Sequence, residues 1–102
     1  MKKTLRRYLS FRLHSDETSV DAKQLGTAIW KSLLSIYGEV SAADSKLYLV
    51  QYNEETGDGI LQCTLTSLDR VITSAVLIGS IEKSSVSFEP KKTSGTVKSL
   101  KR

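Results

Sequence analysis

A short stretch near the amino terminus reads Tyr8-Leu9-Ser10-Phe11-Arg12-Leu13. Its apolar and polar side chains alternate without interruption. This period of two is that of a β-strand with one buried face and one exposed face. The stretch therefore predicts an opening strand whose Leu9, Phe11 and Leu13 side chains face a hydrophobic core.

A helix is predicted to follow this strand after a polar loop. Asp21 and Gln24 have the spacing of a capping box, in which each side chain bonds to the backbone N–H of the other residue. Apolar residues then recur at helical intervals until Gly38, which provides a stop. The positions expected to face the sheet are Ala22, Leu25, Ile29, Leu33 and Ile36.

The rest of the chain continues to alternate between strands and helices. Residues 46–53 and 59–65 alternate like strands and flank turn-forming residues, so they predict a hairpin. Ser67 and Gly79 then bound a second helix. A short strand over residues 85–89 is expected to end at Pro90, which has no backbone N–H to donate.

The predicted order is therefore βαββαβ. This is the α+β arrangement of ferredoxin-like and RNA-recognition-like sandwiches, in which both helices pack on one face of a four-stranded antiparallel sheet. The 102 residues suffice for a single domain. We divide it into a basic N-terminal arm (1–7), the βαββαβ core (8–90) and a basic C-terminal segment (91–102).

Basic residues are concentrated at the two ends of the chain, and neither end contains an acid. These residues are Lys2, Lys3, Arg6, Arg7, Lys91, Lys92, Lys98, Lys101 and Arg102. The residues between hold six basic and 11 acidic side chains, a net charge of −5. Basic tails on an acidic body are typical of proteins that bind a polyanion such as RNA. The alternative is that the terminal charge only aids solubility.

The sequence offers little catalytic chemistry. Cys63 and His14 are the only residues of their types, so the chain can form neither an internal disulfide nor a zinc site of thiolates and imidazoles. The loop after the first strand has two acids and no glycine, which disfavours a phosphate cradle. We therefore expect no catalytic residue and no metal ligand, with His14 on the surface and Cys63 in the core.

No apolar run is long enough to span a bilayer, and no apolar stretch follows the basic residues of the N-terminus. We therefore expect a cytoplasmic protein without a membrane partner.

The first helix carries more apolar surface than one sheet requires. Trp30, Leu34 and Tyr37 form a second stripe on it, and either the C-terminal segment with Val97 and Leu100 or a partner protein is expected to cover that stripe.

The open face of the sheet is predicted to display Arg12 with the tyrosines Tyr8, Tyr48 and Tyr52. The third predicted strand contains no aromatic residue, which disfavours base stacking of the RNA-recognition type and favours contact with the phosphate backbone.

Five segments, in the same order, resemble one protein family. They are Arg7-Tyr8-Leu9, Trp30-Lys31-Ser32-Leu33-Leu34-Ser35-Ile36-Tyr37-Gly38-Glu39, Gly59-Ile60-Leu61-Gln62-Cys63, Val86-Ser87-Phe88 and Ser94-Gly95-Thr96-Val97-Lys98-Ser99-Leu100-Lys101-Arg102. These segments are similar to those of the ribonuclease P protein component 2 (Pop-five) family, in its archaeal form.

The resemblance implies an RNA-binding subunit of ribonuclease P that supports the catalytic RNA in removing 5′ leaders from precursor tRNA. It implies three partners: ribonuclease P RNA, precursor tRNA and a TIM-barrel protein subunit, with which the family can form a heterotetramer. The RNA, with its bound Mg²⁺, performs the hydrolysis, so no cofactor is implied on the protein.

Together with the charge pattern, the resemblance suggests two sets of site residues. The RNA-binding set comprises Lys2, Lys3, Arg6, Arg7, Arg12, Lys91, Lys92, Ser94, Gly95, Thr96, Lys98, Lys101 and Arg102. The protein-interface set is Trp30, Leu34 and Tyr37. The alternative function is a non-RNA protein-interaction or ligand-binding module with a ferredoxin-like fold.

Overall fold

A computed structural model describes residues 5–16 and 19–100. The strands are β1 (Arg6–Ser15), β2 (Tyr48–Tyr52), β3 (Asp58–Thr64), β4 (Ser80–Ile81) and β5 (Ser84–Ser94). The helices are α1 (Ala22–Tyr37), α2 (Glu39–Asp44), α3 (Leu68–Val76) and α4 (Val97–Leu100), with a 3₁₀ turn over Leu65–Ser67. The predicted mixture of helices with an antiparallel sheet is confirmed.

The sheet has five strands in the order β2-β3-β1-β5-β4, so the prediction of four strands is wrong. The additional strand, β4, forms a tight hairpin with the start of β5, where Ile81 pairs with Ser84. Glu82 in this turn adopts a positive φ of 55°. Glycine usually occupies such positions, so a glutamate there gives no turn signal in the sequence. A two-residue strand is also too short to show any alternation.

The core lies between one face of the sheet and helices α1 and α3. The predicted inward residues of β1 are almost completely buried, as are the central apolar residues of both helices. The innermost of these side chains are Leu9, Phe11, Leu25, Ile29, Leu33, Leu61, Val71 and Ala75. The predicted capping box is confirmed, because Asp21 accepts from the backbone of Gln24 and the Gln24 side chain accepts from the backbone of Asp21.

The last strand does not end at Pro90 as predicted. It continues to Ser94, because the β1–β5 register shifts between Ser10, which pairs with Lys92, and Phe11, which pairs with Pro90. The shift leaves Lys91 as the extra residue of a β-bulge, where a proline without an N–H is tolerated. The first four residues of the basic C-terminal segment are therefore part of the sheet.

The two predicted helices, α1 and α3, both pack on one face of the sheet, as expected, and a further short helix, α4, lies on the opposite face. Leu100 of α4 lines a small cavity together with Ser10, Ile60 and Lys92. These three strand residues alternate with the residues that face the core, so they lie on the opposite face of the sheet. Ile60 is only 4% exposed although it lies outside the main core. It lies on the face opposite α1, where a mostly polar strand pattern gave no reason to expect a covering helix.

None of the helices within residues 5–16 and 19–100 is long and apolar enough to cross a membrane.

Candidate functional site

The pairing of the first and last strands brings the two basic ends of the chain together. In the antiparallel β1–β5 ladder Tyr8 lies opposite Ser94 and Ser10 lies opposite Lys92. The start of β1 therefore lies beside the end of β5. We refer to the described basic residues at these two ends, Arg6, Arg7, Lys91, Lys92 and Lys98, as the terminal basic group. Lys2, Lys3, Lys101 and Arg102 lie outside the described residues.

The turn that leads into α4 adjoins this group. Ser94 Oγ accepts a hydrogen bond from the Thr96 backbone at 3.2 Å, and Thr96 Oγ1 accepts one from the Ser99 backbone at 3.3 Å. A Cβ on Gly95 would lie 3.4 Å from Nη1 of Arg7, so the guanidinium passes close to the main chain of the turn. The predicted residues Ser94, Gly95 and Thr96 thus shape the edge of the basic surface.

The charge of the terminal basic group is only partly compensated, because Lys91 alone among its members helps to lower the pKa of nearby carboxyls, those of Asp58 and Glu89. Among the described residues, the two ion pairs are Arg12–Asp58 and His14–Glu89, and neither involves a member of the group. Four of its five members are exposed, and Arg7 is half-buried. The ammonium and guanidinium groups are therefore accessible to a polyanion.

Arg12, in contrast, lies about 16 Å further along β1 than Arg7, at ~3.3 Å per residue. Its guanidinium donates to both carboxylate oxygens of Asp58, at 2.8 and 3.1 Å. This hydrogen bonding lowers the pKa of Asp58 and raises that of Arg12. The structure thus pairs the charge of Arg12 with Asp58, and Lys91 lies near enough to the same carboxylate to help lower its pKa.

His14 forms a second cross-strand pair that the sequence did not reveal. Its Nε2 donates to Oε1 of Glu89 at 2.8 Å, and this hydrogen bond lowers the pKa of Glu89. Asp16 is the acidic residue nearest to His14 in the sequence. Its carboxylate accepts a hydrogen bond from the backbone N–H of Ser85. Both cross-strand pairs depend on the strand register, which no local pattern in the sequence gives.

Cys63 is buried, as predicted, and this burial raises the pKa of its thiol to about 11. The side chain is therefore a protonated core residue at neutral pH. Within the described ranges, no three His, Cys, Asp or Glu side chains cluster closely enough to hold a metal ion.

The predicted interface stripe on α1 is only partly continuous. Trp30 is 39% exposed and Tyr37 36% exposed, whereas Leu34 packs against the core. The guanidinium of Arg70 lies 5.8 Å above the Tyr37 ring. Because α4 lies on the opposite face of the sheet, the C-terminal segment does not cover Trp30.

Trp30 borders an apolar groove between α1 and the edge strand β2. The groove has a volume of about 420 Å³, and its lining includes Gly26, Leu47, Leu49 and Leu61. One side of β2 pairs with β3, while its other edge has no strand neighbour in the sheet. This groove is the main apolar surface beside the stripe.

The tyrosines predicted on the open face do not all point the same way. Tyr48 pairs with Gln62 on the open side, but the β2–β3 register shifts between Leu49 and Gln51. Tyr52 is therefore turned towards the core, where its ring stacks on Phe11 with centroids 6.3 Å apart.

Comparisons with known proteins identify close counterparts for nearly the whole chain. The sequence model of the Rpp14/Pop5 family matches residues 7–102. The chain is 32% identical over 97 residues to ribonuclease P protein component 2 of Pyrococcus furiosus, covering 95% of this chain and 80% of the relative. The protein of the same name from Archaeoglobus fulgidus is 33% identical over 97 residues, covering 95% and 85%. That from Pyrococcus horikoshii is 31% identical over 98 residues, covering 94% and 79%.

Proposed function

The chain belongs to the Rpp14/Pop5 family, and on that premise we propose that it is an RNA-binding protein subunit of ribonuclease P. In this role it supports the catalytic RNA during removal of the 5′ leader from precursor tRNA. The names of the archaeal relatives support the assignment to ribonuclease P. We further infer that the scaffold is ferredoxin-like, since the strand order without the short β4 fits a split βαβ unit.

The observation that carries the proposal is the convergence of both basic ends beside the β1–β5 ladder. Each Lys or Arg that replaces a condensed counterion on a phosphate contributes to RNA affinity. A group built from two distant parts of the sequence, on neighbouring strands and on α4, can contact several phosphates of one RNA. Such contacts position the RNA without reading its sequence.

The protein's contribution to the reaction is then electrostatic and positional. Phosphates held against the terminal basic group repel one another less, and a folded RNA held in place presents its reacting groups in fixed orientation. Mg²⁺ is bound by the RNA and takes part in the hydrolysis there. None of the proposed steps requires a proton transfer from His14 or a thiolate from Cys63.

The partners follow from the same proposal. They are ribonuclease P RNA, precursor tRNA and the TIM-barrel protein subunit, the latter in a heterotetramer, all in the cytoplasm. The exposed ring of Trp30 beside the apolar groove supports a protein interface there, because large aromatic anchors seated next to pockets are typical of such interfaces.

Reconstituted cleavage of precursor tRNA tests this function. Ribonuclease P RNA at limiting Mg²⁺ is assayed with the TIM-barrel subunit, with and without the chain. We expect the chain to raise the cleavage rate and the Lys91→Gln/Lys92→Gln variant to lose most of this stimulation. The matched variant Lys46→Gln/Lys83→Gln, which removes the same charge elsewhere, should keep it.

Absence of stimulation would refute the proposed role. Equal losses in the two double variants would show that only net charge matters. Binding of the TIM-barrel subunit without any RNA binding would favour the alternative of a protein-interaction module.

A further inference from the structure

A second basic surface lies far from the terminal basic group. A cleft of about 580 Å³ separates the N-terminal half of α1 from the α3–β4 connection. Lys23, Thr27 and Lys31 line its α1 wall. Because they are spaced four residues apart, these side chains share one face of the helix.

The floor and the opposite wall of the cleft have a different chemistry. Ala28, Ile78 and Ile81 contribute apolar surface, and Gly79 and Ser80 contribute main chain and a hydroxyl. Leaving aside its two chain neighbours, no residue in the described part of the chain has a heavy atom within 4 Å of the position that a Cβ on Gly79 would occupy. A ligand can therefore approach the backbone closely at this wall.

The charge of the cleft favours an anion. Neither lysine forms an ion pair with any residue in the described part of the chain. Among the described residues that line the cleft, Glu82 is the single carboxylate, against the ammonium groups of Lys23 and Lys31. An apolar floor beneath two cations suits a nucleotide, whose base or ribose packs on the floor while its phosphate lies between the lysines.

The size and position of the cleft fit the same ligand. The volume lies within the ~300–1,000 Å³ range of small-molecule sites. The neighbouring β4 pairs with Ser84 and Ser85 at the start of β5, whereas the terminal basic group lies at the end of that strand. Lys91, the nearest member of that group on this strand, lies seven residues after Ser84, which corresponds to roughly 23 Å along the strand at ~3.3 Å per residue.

We propose that this cleft binds an unpaired nucleotide of an RNA, through its phosphate at Lys23 and Lys31 and its base or ribose on the apolar floor. The inference rests on the proposed RNA-binding function and extends it, since the chain then contacts two separate segments of one folded RNA.

Binding to ribonuclease P RNA, measured by fluorescence anisotropy at several salt concentrations, tests the cleft. We expect Lys23→Gln/Lys31→Gln to weaken binding about tenfold and to reduce the salt slope by about 1, the loss of one phosphate contact. Lys46→Gln, which removes one positive charge away from the cleft, should change neither. Glu82→Gln should strengthen binding, since it removes the carboxylate that opposes the phosphate.

The two proposals fail in distinguishable ways. If the parent binds RNA and the Lys23→Gln/Lys31→Gln variant binds equally well, the cleft proposal is overturned and the RNA-binding function stands. If Glu82→Gln weakens binding instead, the cleft prefers a cation and the proposal is also overturned. Circular dichroism of each variant checks that the fold is retained.

If the parent does not bind RNA, the proposed function fails, and the cleft as an RNA site fails with it. Titration with adenosine 5′-monophosphate, followed by NMR, separates a free-nucleotide site from an RNA site. Shifts of the Gly79 and Ser80 amides that disappear in the lysine double variant support nucleotide recognition. Inorganic phosphate alone should give smaller shifts, and equal shifts would show that the apolar floor contributes nothing.

Discussion

Tyr8 on β1 lies directly opposite Ser94 on β5, so that the first and last strands of the sheet run side by side. Residues that are 86 positions apart in the sequence are thereby neighbours. This one pairing places Arg6 and Arg7 next to the turn that carries Gly95. The sheet topology therefore brings the main chains of the two basic ends side by side.

The ion pair between Arg12 and Asp58 predicts a specific acid response. A carboxyl whose pKa is lowered in the folded state stabilises the fold above its ordinary pKa of 3.8, and this contribution disappears as the pH falls through the folded-state pKa. Between about pH 6 and about pH 3, the free energy of unfolding should therefore fall less in Asp58→Asn than in the parent. Urea denaturation at both pH values measures this change in the free energy of unfolding. Arg12→Gln removes the same pair and should reduce the fall similarly; an unchanged fall in both variants would contradict the pair's role.

Trp30→Ala should affect association more than stability. The ring is 39% exposed, so we expect a loss of about 1 kcal/mol in the free energy of unfolding instead of the ~3 kcal/mol of an emptied aromatic core site. Binding to the TIM-barrel subunit should weaken by about 2 kcal/mol or more. Leu33→Ala, at a fully buried site on the same helix, should cost about 3 kcal/mol in stability. Normal affinity of the Trp30→Ala protein would show that the groove is not the interface.

Leu100 and Ile60 line the same small cavity on the face of the sheet opposite α1, so we expect Leu100 to contribute modestly to stability. Leu100→Ala should lower the free energy of unfolding by about 1 kcal/mol, since part of a leucine side chain is lost from a half-buried contact. Leu77→Ala on α3 is the matched control, because Leu77 is 65% exposed and surface changes stay within about 0.5 kcal/mol. Equal effects in chemical denaturation would mean that α4 does not pack stably on the sheet.

His14→Ala and Cys63→Ala should leave the turnover of the reconstituted holoenzyme within about twofold of the parent. The Cys63 thiol is buried with its pKa raised to about 11, so it is not placed for nucleophilic attack, and the proposed function assigns the hydrolysis to the RNA and no proton transfer to His14. Single-turnover cleavage rates measure the effect. A loss of a hundredfold or more in either variant would assign catalysis to the protein.

Local patterns in the sequence were sufficient for the elements that build the core. The alternation of Leu9, Phe11 and Leu13 placed β1 correctly, and the spacing of Asp21 and Gln24 located the start of α1. Both patterns involve residues close together in the chain, so they can be recognised without any knowledge of tertiary contacts. The terminal α1 positions Ala22 and Ile36 were predicted as core and are exposed, so the periodicity overstated the length of the buried face.

Features set by strand register could not be predicted in this way. The bulge after Leu49 turns Tyr52 to the core face, and the bulge at Lys91 lets β5 pass Pro90. The pairs Arg12–Asp58 and His14–Glu89 join residues on different strands. The cleft carries one local signal, the spacing of Lys23, Thr27 and Lys31, but its second wall comes from the α3–β4 connection.

The salt dependence of binding to ribonuclease P RNA tests the central claim, that the terminal basic group is one RNA-binding surface. If its five members meet phosphates, they contribute about −4.5 to the slope of log K against log salt, using ~0.9 per phosphate. Lys91→Gln/Lys92→Gln should reduce the magnitude of the slope by about 2, and Lys46→Gln/Lys83→Gln should leave it unchanged. A slope that is the same in all three proteins would contradict the account.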